Sequence, residues 1–419
     1  MTTGNTTQIE RLAQSARRLS KASAVRERSS RLLNLALANR LDHFSVDMLR
    51  LDSVCDYVVK VIRSSHSDLS VPPHARWRQF EIGEIDRWGL LVAEKEWKDA
   101  HELGRAAVDM AFISSLFEGL AGPGWAYAEA ETGETFARSE GLAIASLVMF
   151  AGGTFSSDPY DPLRVDARAL AGLTLEEMAD GLQVSSINAV VGLEQRLEMI
   201  NGLGRYMLAE PELYAGQAGV RPGGLIDYLV RTGNSQVVSA PYLLELILPA
   251  LIAISPGHYA LGGMALGDCW VHPSLMMGDE TDGLVPFHHM GQWIAYSLIE
   301  PLIWAGFEIT DLDGLTGLPD VWNGGLMLDL GLLRMRRPAE AANAHDAESP
   351  LVVEWRALTI ALLDRVTEGV RRRLGRTAET FPLTCVLEGG TVAAGRRIAR
   401  ERRKEGNPPL TIIRDPSIL

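Results

Sequence analysis

His289, Gln292, Tyr296 and Glu300 lie three, four and four residues apart in a run that opens with Val285-Pro286-Phe287-His288 and closes at Pro301. On a helix they share one face. Trp293, Ile294, Leu298, Ile299, Leu302 and Ile303 occupy the remaining faces, and a helix that is apolar nearly all round belongs in an interior. An imidazole, a carboxamide, a phenol and a carboxylate in such surroundings must find protein partners or line a cavity that holds water or a ligand, because unpaired buried polar groups are costly. Such a set can hydrogen-bond a planar polar molecule and exchange protons with it. Spacing alone leaves both readings open.

A second segment follows the turn-forming Asp311, Asp313 and Gly314: Leu315-Thr316-Gly317-Leu318-Pro319-Asp320-Val321-Trp322-Asn323-Gly324-Gly325-Leu326. Pro319-Asp320 and Asn323-Gly324-Gly325 are turn and helix-start chemistry, which presents Asp320, Trp322 and Asn323 from a loop. Asp268 and His272, with His258, His288 and His289 near in sequence, invite comparison with a metal site. Their spacing matches no ligand template, and His and Asp on irregular backbone more often cap turns, so no metal or other cofactor is expected. Gly389-Gly390-Thr391 leading into a helix with Arg396 could bind an anion, since glycines let backbone N–H groups at a helix start approach a phosphate. A plain Gly-rich turn capped by Thr is the competing reading. The run Arg396 to Lys404 contains Glu401 and reads as a solvated helix face.

The elements that must position these residues are mostly helical. Helical periodicity is expected around 31–39, 46–63, 98–116, 140–150, 175–180, 187–203, from Ser239 as N-cap with Pro241 in the first turn and a kink at Pro249, and over 351–374, with a final helix opened by a Gly-Gly turn near Thr391. Strand-like alternation is confined to pieces such as 307–309 and 410–413. The fold class is therefore mainly α, multi-helical, with a few short strands. The sequence divides into a flexible N-terminus at 1–20, an N-terminal helical subdomain at 21–155, a central helical subdomain at 156–335 carrying most of the site, and C-terminal helices and tail at 350–419. The Gly-, Ser-, Asp- and Pro-rich stretch 152–162 suggests a boundary, and 339–349 a short linker.

A chain of 419 residues can bury a large core. Its net charge of -13 lacks the basic footprint of a nucleic-acid binder. Cys55, Cys269 and Cys385 are widely spaced and suggest neither a disulfide framework nor a zinc site, which fits a reducing compartment. There is no signal-peptide pattern, and the longest apolar run, 246–254, is far short of the ~20 residues of a spanning helix. These features describe a cytoplasmic protein with no nucleic-acid or membrane partner, and a homo-oligomer is compatible with them.

Taken in order, Val71-Pro72-Pro73-His74-Ala75-Arg76-Trp77-Arg78-Gln79-Phe80, Ala121-Gly122-Pro123-Gly124-Trp125, Arg138-Ser139-Glu140-Gly141, Gly192-Leu193-Glu194, Leu266-Gly267-Asp268-Cys269-Trp270-Val271-His272-Pro273, the Val285–Pro301 run, the Leu315–Gly325 loop, and Leu387-Glu388-Gly389-Gly390-Thr391 resemble the uracil-catabolism protein four family, a family whose domain carries no assigned function. The resemblance spans most of the chain and implies a pathway that dismantles pyrimidines through a nucleotide or a ribosylurea-like intermediate. A fainter resemblance, in a Gln-containing helix and an Asp loop of the same order, is to the queuosine-salvage nucleoside hydrolases. It implies a DNA-glycosylase-like helical architecture, with His289 where they have Lys, Gln292 where they have Gln, Asp320 where they have the loop Asp, and Glu118 where they have a buried Asp.

The resemblances imply hydrolysis of an N-glycosidic bond in a nucleoside, nucleotide or ribosylurea-like compound. Such a bond breaks through an oxocarbenium-like transition state, which needs a carboxylate facing the sugar, a hydrogen-bonding group for the leaving nitrogen and an activated water. Asp320 is the expected sugar-facing carboxylate and water base, with Glu118 and Glu300 the next carboxylates. Trp125, Trp270 and Trp322 are candidates to stack on a planar leaving group, and His289, Gln292, Asn323, Asp268 and His272 to bind its polar edge. The alternatives are a phosphoribosyltransferase, for which the strand with two acidic residues and the Thr-Gly phosphate loop are missing, and a non-catalytic nucleoside-binding protein.

The chain departs from these patterns where it matters: His289 replaces Lys, Val321-Trp322 replace Tyr-Arg, Gln79 replaces a His, and the tail Ile413-Arg414-Asp415-Pro416 lacks an Asp-Gly ending. Losing Lys and Arg removes two groups suited to phosphate. Either the substrate differs or the charge comes from elsewhere. The expected outcome is a preference for a nucleoside over its monophosphate, shifted toward the monophosphate by combining His289→Lys with Trp322→Arg; the ratio of kcat/KM values checks it, and an unshifted ratio contradicts it.

Overall fold

The computed structural model describes residues 3–413 apart from 120, 218, 234 and 235, with side chains from residue 8 onward. The chain is mainly helical, and among the described residues the strands pair only as two-stranded ribbons. Among the described residues two compact units are present, one formed by 3–74, 256–292 and 311–413, the other by 75–255 and 293–310. Both are discontinuous in sequence, whereas the sequence reading divides the chain into contiguous stretches, and the 152–162 loop lies inside the second unit. The Arg414-Asp415-Pro416 tail lies outside the described residues.

The first unit is organised on the helix Pro350–Leu374. Ser349 caps it by accepting from the Val352 amide, Pro350 sits in the first turn, and Gly375 ends it at a φ of +64°, a C-terminal conformation that favours glycine. The helices Ala22–Leu37, Leu51–Ser65 and Val321–Asp329 pack against it. Close approach is set by small residues: a Cβ on Gly369 would lie 2.4 Å from Cys55 Sγ, and one on Gly324 would lie 2.1 Å from the Trp355 ring. Residues 3–19, expected to be flexible, form a helix that buries Ser15, Ala16 and Leu19. Its Thr-, Asn- and Gln-rich start masks the helix, and the buried residues lie toward its C-terminal end.

The second unit contains the helices Ala100–Leu116, Arg138–Ala151, Leu193–Ala209 and Ala240–Ile254. The last keeps Pro241 in its first turn and Pro249 inside, as the sequence predicts. Ser239, however, makes no side-chain cap and instead ends the strand Val237–Ser239, which pairs in parallel with Glu308–Thr310. Asp109 is fully buried, its carboxylate held by Arg221 at 2.5 Å and by the Val165 and Gly223 amides. A cluster of Trp77, Trp88 and Trp304 with Phe80 fills another part of the unit.

The Gly324–Trp355 contact generates a test. In a helix, Gly→Ala ordinarily stabilises by up to about 1 kcal/mol, but at this position the new methyl has no room. Gly324→Ala should therefore destabilise, by about 1–3 kcal/mol, read as a lowered urea midpoint. An unchanged or raised midpoint would contradict the packing.

Candidate functional site

In the first unit the segment Leu266–Pro273, whose strand Cys269–Val271 pairs antiparallel with Leu284–Pro286, the Phe287–His289 corner and the Pro350–Leu374 helix converge on Asp268. Arg356 donates from both terminal nitrogens to the two Asp268 oxygens, each at 2.8 Å. The His289 amide donates at 2.9 Å and the Trp270 indole at 2.6 Å. Burial alone would push this carboxyl up, but the Arg356 charge and hydrogen bonds, with the His289 and Trp270 donors, hold it down at about 2. The Asp268 carbonyl also accepts from the Phe287 and His288 amides, and the Arg356 guanidinium lies 4.0 Å from the centre of the Phe287 ring.

This hub fixes where the helix His289–Trp304 begins. His288 immediately before it adopts a φ of +47°, a left-handed conformation rarely taken by a side-chain-bearing residue and costing about 1 kcal/mol or more. Its ring is buried against the Leu19 carbonyl at 2.9 Å, and burial pushes the imidazole pKa down, favouring the neutral form. Gln292 lies one turn later and is fully buried. Its Nε2 donates to the Phe287 carbonyl at 3.0 Å and to Thr316 Oγ1 at 2.8 Å, while Oε1 accepts from the Thr316 amide at 2.7 Å. With its amide committed this way, Gln292 fastens the Leu315–Gly317 loop rather than reading a ligand edge.

That loop delivers Asp320 to the start of the helix Val321–Asp329. Asp320 Oδ1 accepts from the Trp322 and Asn323 amides at 2.8 and 2.9 Å, and Oδ2 from Asn323 Nδ2 at 2.6 Å. Three N–H donors thus orient the carboxylate, which stays half-buried. Asn323 is buried, and its Oδ1 has no hydrogen-bond partner among the described residues. Trp322 is half-buried beneath the Arg396 guanidinium, 5.7 Å from the ring centre. Gly395 permits this contact, since a Cβ there would lie 2.2 Å from the Trp322 carbonyl. The Ala393–Arg402 helix thus places a cation over the Trp322 ring.

Other expected residues are placed differently. Gly389 and Gly390 do not open a helix: Leu383–Val386, the π-helical turn Leu387–Val392 and Ala393–Arg402 run on continuously. The two glycines instead admit Val71, Val58 and Ile62 at close range, so their amides form no helix-start anion cradle. Thr391 is buried, with no hydrogen-bond partner for its hydroxyl among the described residues. Trp270 is buried with its indole N–H spent on Asp268, which leaves it a core residue. His272 is buried; Nδ1 accepts from the Ser274 amide at 3.3 Å, which leaves Nε2 to carry the hydrogen, facing Glu354 Oε2 at 3.4 Å.

In the second unit Glu118 accepts from Arg76 and from the Ser139 hydroxyl, and burial lowers the Arg76 pKa. Glu300 receives Arg78 Nη2 at 2.7 and 2.9 Å. Trp125 is buried, its indole donating to the Leu182 carbonyl at 2.9 Å. Glu300 is thus satisfied by a protein group, as Gln292 is in the first unit. Among the described residues no group of three or more His, Cys, Asp or Glu side chains is arranged to hold a metal ion, and no helix is long and apolar enough to cross a membrane. The sequence reading missed Arg356, Glu354 and Thr316. The signal for the first two was present: two charged residues inside the mostly apolar run Leu351–Leu363.

The Asp268 hub predicts how stability responds to pH. The carboxyl titrates near 2 when folded and near 3.9 when unfolded, so its contribution is complete above about pH 5 and is lost as the pH falls toward 2. Asp268→Asn, which leaves Arg356 unpaired, should cost about 3–5 kcal/mol at pH 7. The gap to wild type should narrow by about 1 kcal/mol at pH 3. Urea unfolding at the two pH values checks this, and a gap that is small or independent of pH contradicts it.

A family model described as "Protein of unknown function (DUF1688)" matches residues 18–419. Protein urg3 of Schizosaccharomyces pombe is 34% identical over 403 residues, covering 94% of this chain and 96% of the relative. Uracil catabolism protein 4 of Lachancea kluyveri is 32% identical over 433 residues, covering 95% and 97%. A match of this extent, through the segments that build the Asp268 hub and the Asp320 loop alike, makes the chain a member of the DUF1688 family.

Proposed function

We propose that this chain acts in pyrimidine catabolism, where it hydrolyses the N-glycosidic bond of a nucleoside, nucleotide or ribosylurea-like intermediate. The name of one relative, Uracil catabolism protein 4, supports the pathway. The observation that carries the chemistry is the Asp320 carboxylate, oriented by Trp322, Asn323 and its own helix start beside the Trp322–Arg396 stack. Hydrolysis breaks the bond between the sugar's anomeric carbon and nitrogen. The electron pair leaves on nitrogen, water oxygen bonds to carbon, and one water proton ends on the leaving group. Positive charge accumulates on the sugar meanwhile, and a fixed carboxylate stabilises it without reorganising at the moment of reaction.

The capping bonds also define what Asp320 does least well. Of roughly four lone-pair positions on a carboxylate, three already accept N–H donors. Its role is therefore electrostatic, with the water proton passing to another group. Trp322 offers a ring face to a planar leaving group, and Arg396 offers donors for a carbonyl or an anionic substituent.

The test is release of free sugar or sugar phosphate from uridine, uridine monophosphate and ribosylurea. Turnover should need neither diphosphate nor metal, and a chelator should leave it unchanged. Asn caps a helix as well as Asp does, so Asp320→Asn removes the charge and keeps the helix start. It should lower kcat by about a hundredfold or more, with the protein folded and the melting temperature lowered only by loss of the Asn323 Nδ2 bond. Activity within a few-fold of wild type would remove Asp320 from the mechanism, and diphosphate-dependent turnover would identify a transferase instead.

A further inference from the structure

We infer that His74, held by Glu388 on the π-helical turn of the first unit, is the general base that takes the water proton and returns it to the leaving nitrogen; this assignment rests on the hydrolytic reading above. His74 and Glu388 are 314 positions apart in sequence, yet His74 Nδ1 lies 2.5 Å from Glu388 Oε2. The backbone around the histidine is clamped. Its amide donates to Thr384 Oγ1 at 2.7 Å and is also 3.1 Å from the Thr384 carbonyl, and the Thr384 hydroxyl reaches the His74 carbonyl at 3.3 Å. A ring gripped at Nδ1 by a carboxylate presents Nε2 as the nitrogen that exchanges protons, the arrangement that orients a catalytic imidazole in many hydrolases.

Three observations support chemistry over a purely structural ion pair. Both side chains are accessible, His74 at 13% and Glu388 at 25% of the side-chain surface, so a substrate can reach them. Glu388 stands on a π-helical turn, a rare local geometry that recurs at functional sites. The turn also changes the direction of Glu388 relative to the Ala393–Arg402 helix. In a regular α-helix, residues eight apart such as Glu388 and Arg396 would point about 80° apart, and the wider π turn, advancing less per residue, narrows that angle. The turn and the Ala393–Arg402 helix both pack against the helix that Asp320 caps. Glu388, which holds His74, and Arg396, which covers Trp322, thus stand on one continuous helical rod against the Asp320 helix, the helix that carries Trp322.

The proton balance closes. His74 Nε2 accepts a proton from the attacking water as its oxygen bonds to the anomeric carbon. The carbon–nitrogen bond breaks with its electron pair on nitrogen, and the imidazolium then protonates that nitrogen, returning to its starting state. No further reactant is consumed. Glu388 acts through His74 and is a positioning residue.

The experiment uses the full chain and whichever of uridine, uridine monophosphate or ribosylurea the wild type cleaves. His74→Ala should lower kcat by about a hundredfold or more while KM stays within a few-fold, and added imidazole should restore activity in proportion to its concentration. Glu388→Gln should lower kcat about tenfold, with His74 in place and no response to imidazole. Circular dichroism and melting temperature identify a variant that fails to fold, in which case His74→Gln replaces His74→Ala and must show the same loss in kcat. If the wild type cleaves a substrate and His74→Ala is within threefold of it, or is folded and inactive without imidazole rescue, the assignment is overturned while the hydrolytic reading stands. If the wild type cleaves none of the three, that reading fails and the role given to His74 falls with it.

Discussion

A single buried carboxylate holds the first unit's functional half together. Asp268 takes four N–H donors from three separated stretches of chain, and its carbonyl takes two more. An ionised group can be buried only when its hydrogen-bonding capacity is met, and here that requirement determines backbone positions: the strained φ of His288, the first turn of the His289–Trp304 helix and the side of the long helix from which Arg356 projects. Gln292, one turn along, carries the constraint onward to Thr316 and so to the loop that ends at Asp320. Gln292, one of the residues that resemble a ligand-binding stripe in sequence, thus acts as a scaffold for the loop that carries the carboxylate four positions past Thr316.

This arrangement separates the residues that hold the backbone from those proposed to react. Asp268, Gln292 and Thr316 are buried and held by protein partners, whereas Asp320, Trp322, Arg396, His74 and Glu388 are half-buried, as is Arg356. Preorganised charge is useful in catalysis because it does not have to reorient as the transition state forms. The fully buried group provides that rigidity and the half-buried group provides access. Glycines complete the fit, Gly324 against Trp355 and Gly395 against Trp322, by allowing helices to approach closer than any Cβ would permit.

Much of this was legible in the sequence. Helical periodicity located most long helices, because their apolar faces repeat at the helical spacing, and Asp320 could be read as a helix start from Pro319 before it and Asn323-Gly324-Gly325 after. Long-range pairing was not legible. Nothing near Asp268 in sequence names Arg356 as its partner, and His74 and Glu388 stand as two unrelated motifs until the fold joins them. Gly389-Gly390 was misread for a physical reason: two glycines before a helix commonly mark a start, but the same residues also serve where side chains of a neighbouring helix press close, and local sequence does not distinguish the two. The N-terminal helix reads in sequence as only frayed or weakly helical because its few apolar residues fall on a narrow stripe whose burial depends on distant chain.

Attack of water on the sugar carbon, with rupture of the bond to nitrogen, is the step on which the proposed chemistry stands or falls. The most direct measurement is the fate of oxygen-18 when the protein turns over uridine, its monophosphate or ribosylurea in labelled water, followed by mass spectrometry of both products before the sugar exchanges its anomeric oxygen. Glycosidic hydrolysis predicts one labelled oxygen at the anomeric carbon of the released sugar and none in the nitrogen-bearing fragment. Label in the nitrogen-bearing fragment, or in carbon dioxide derived from it, would mean that an amide bond is cleaved and would contradict glycosidic hydrolysis.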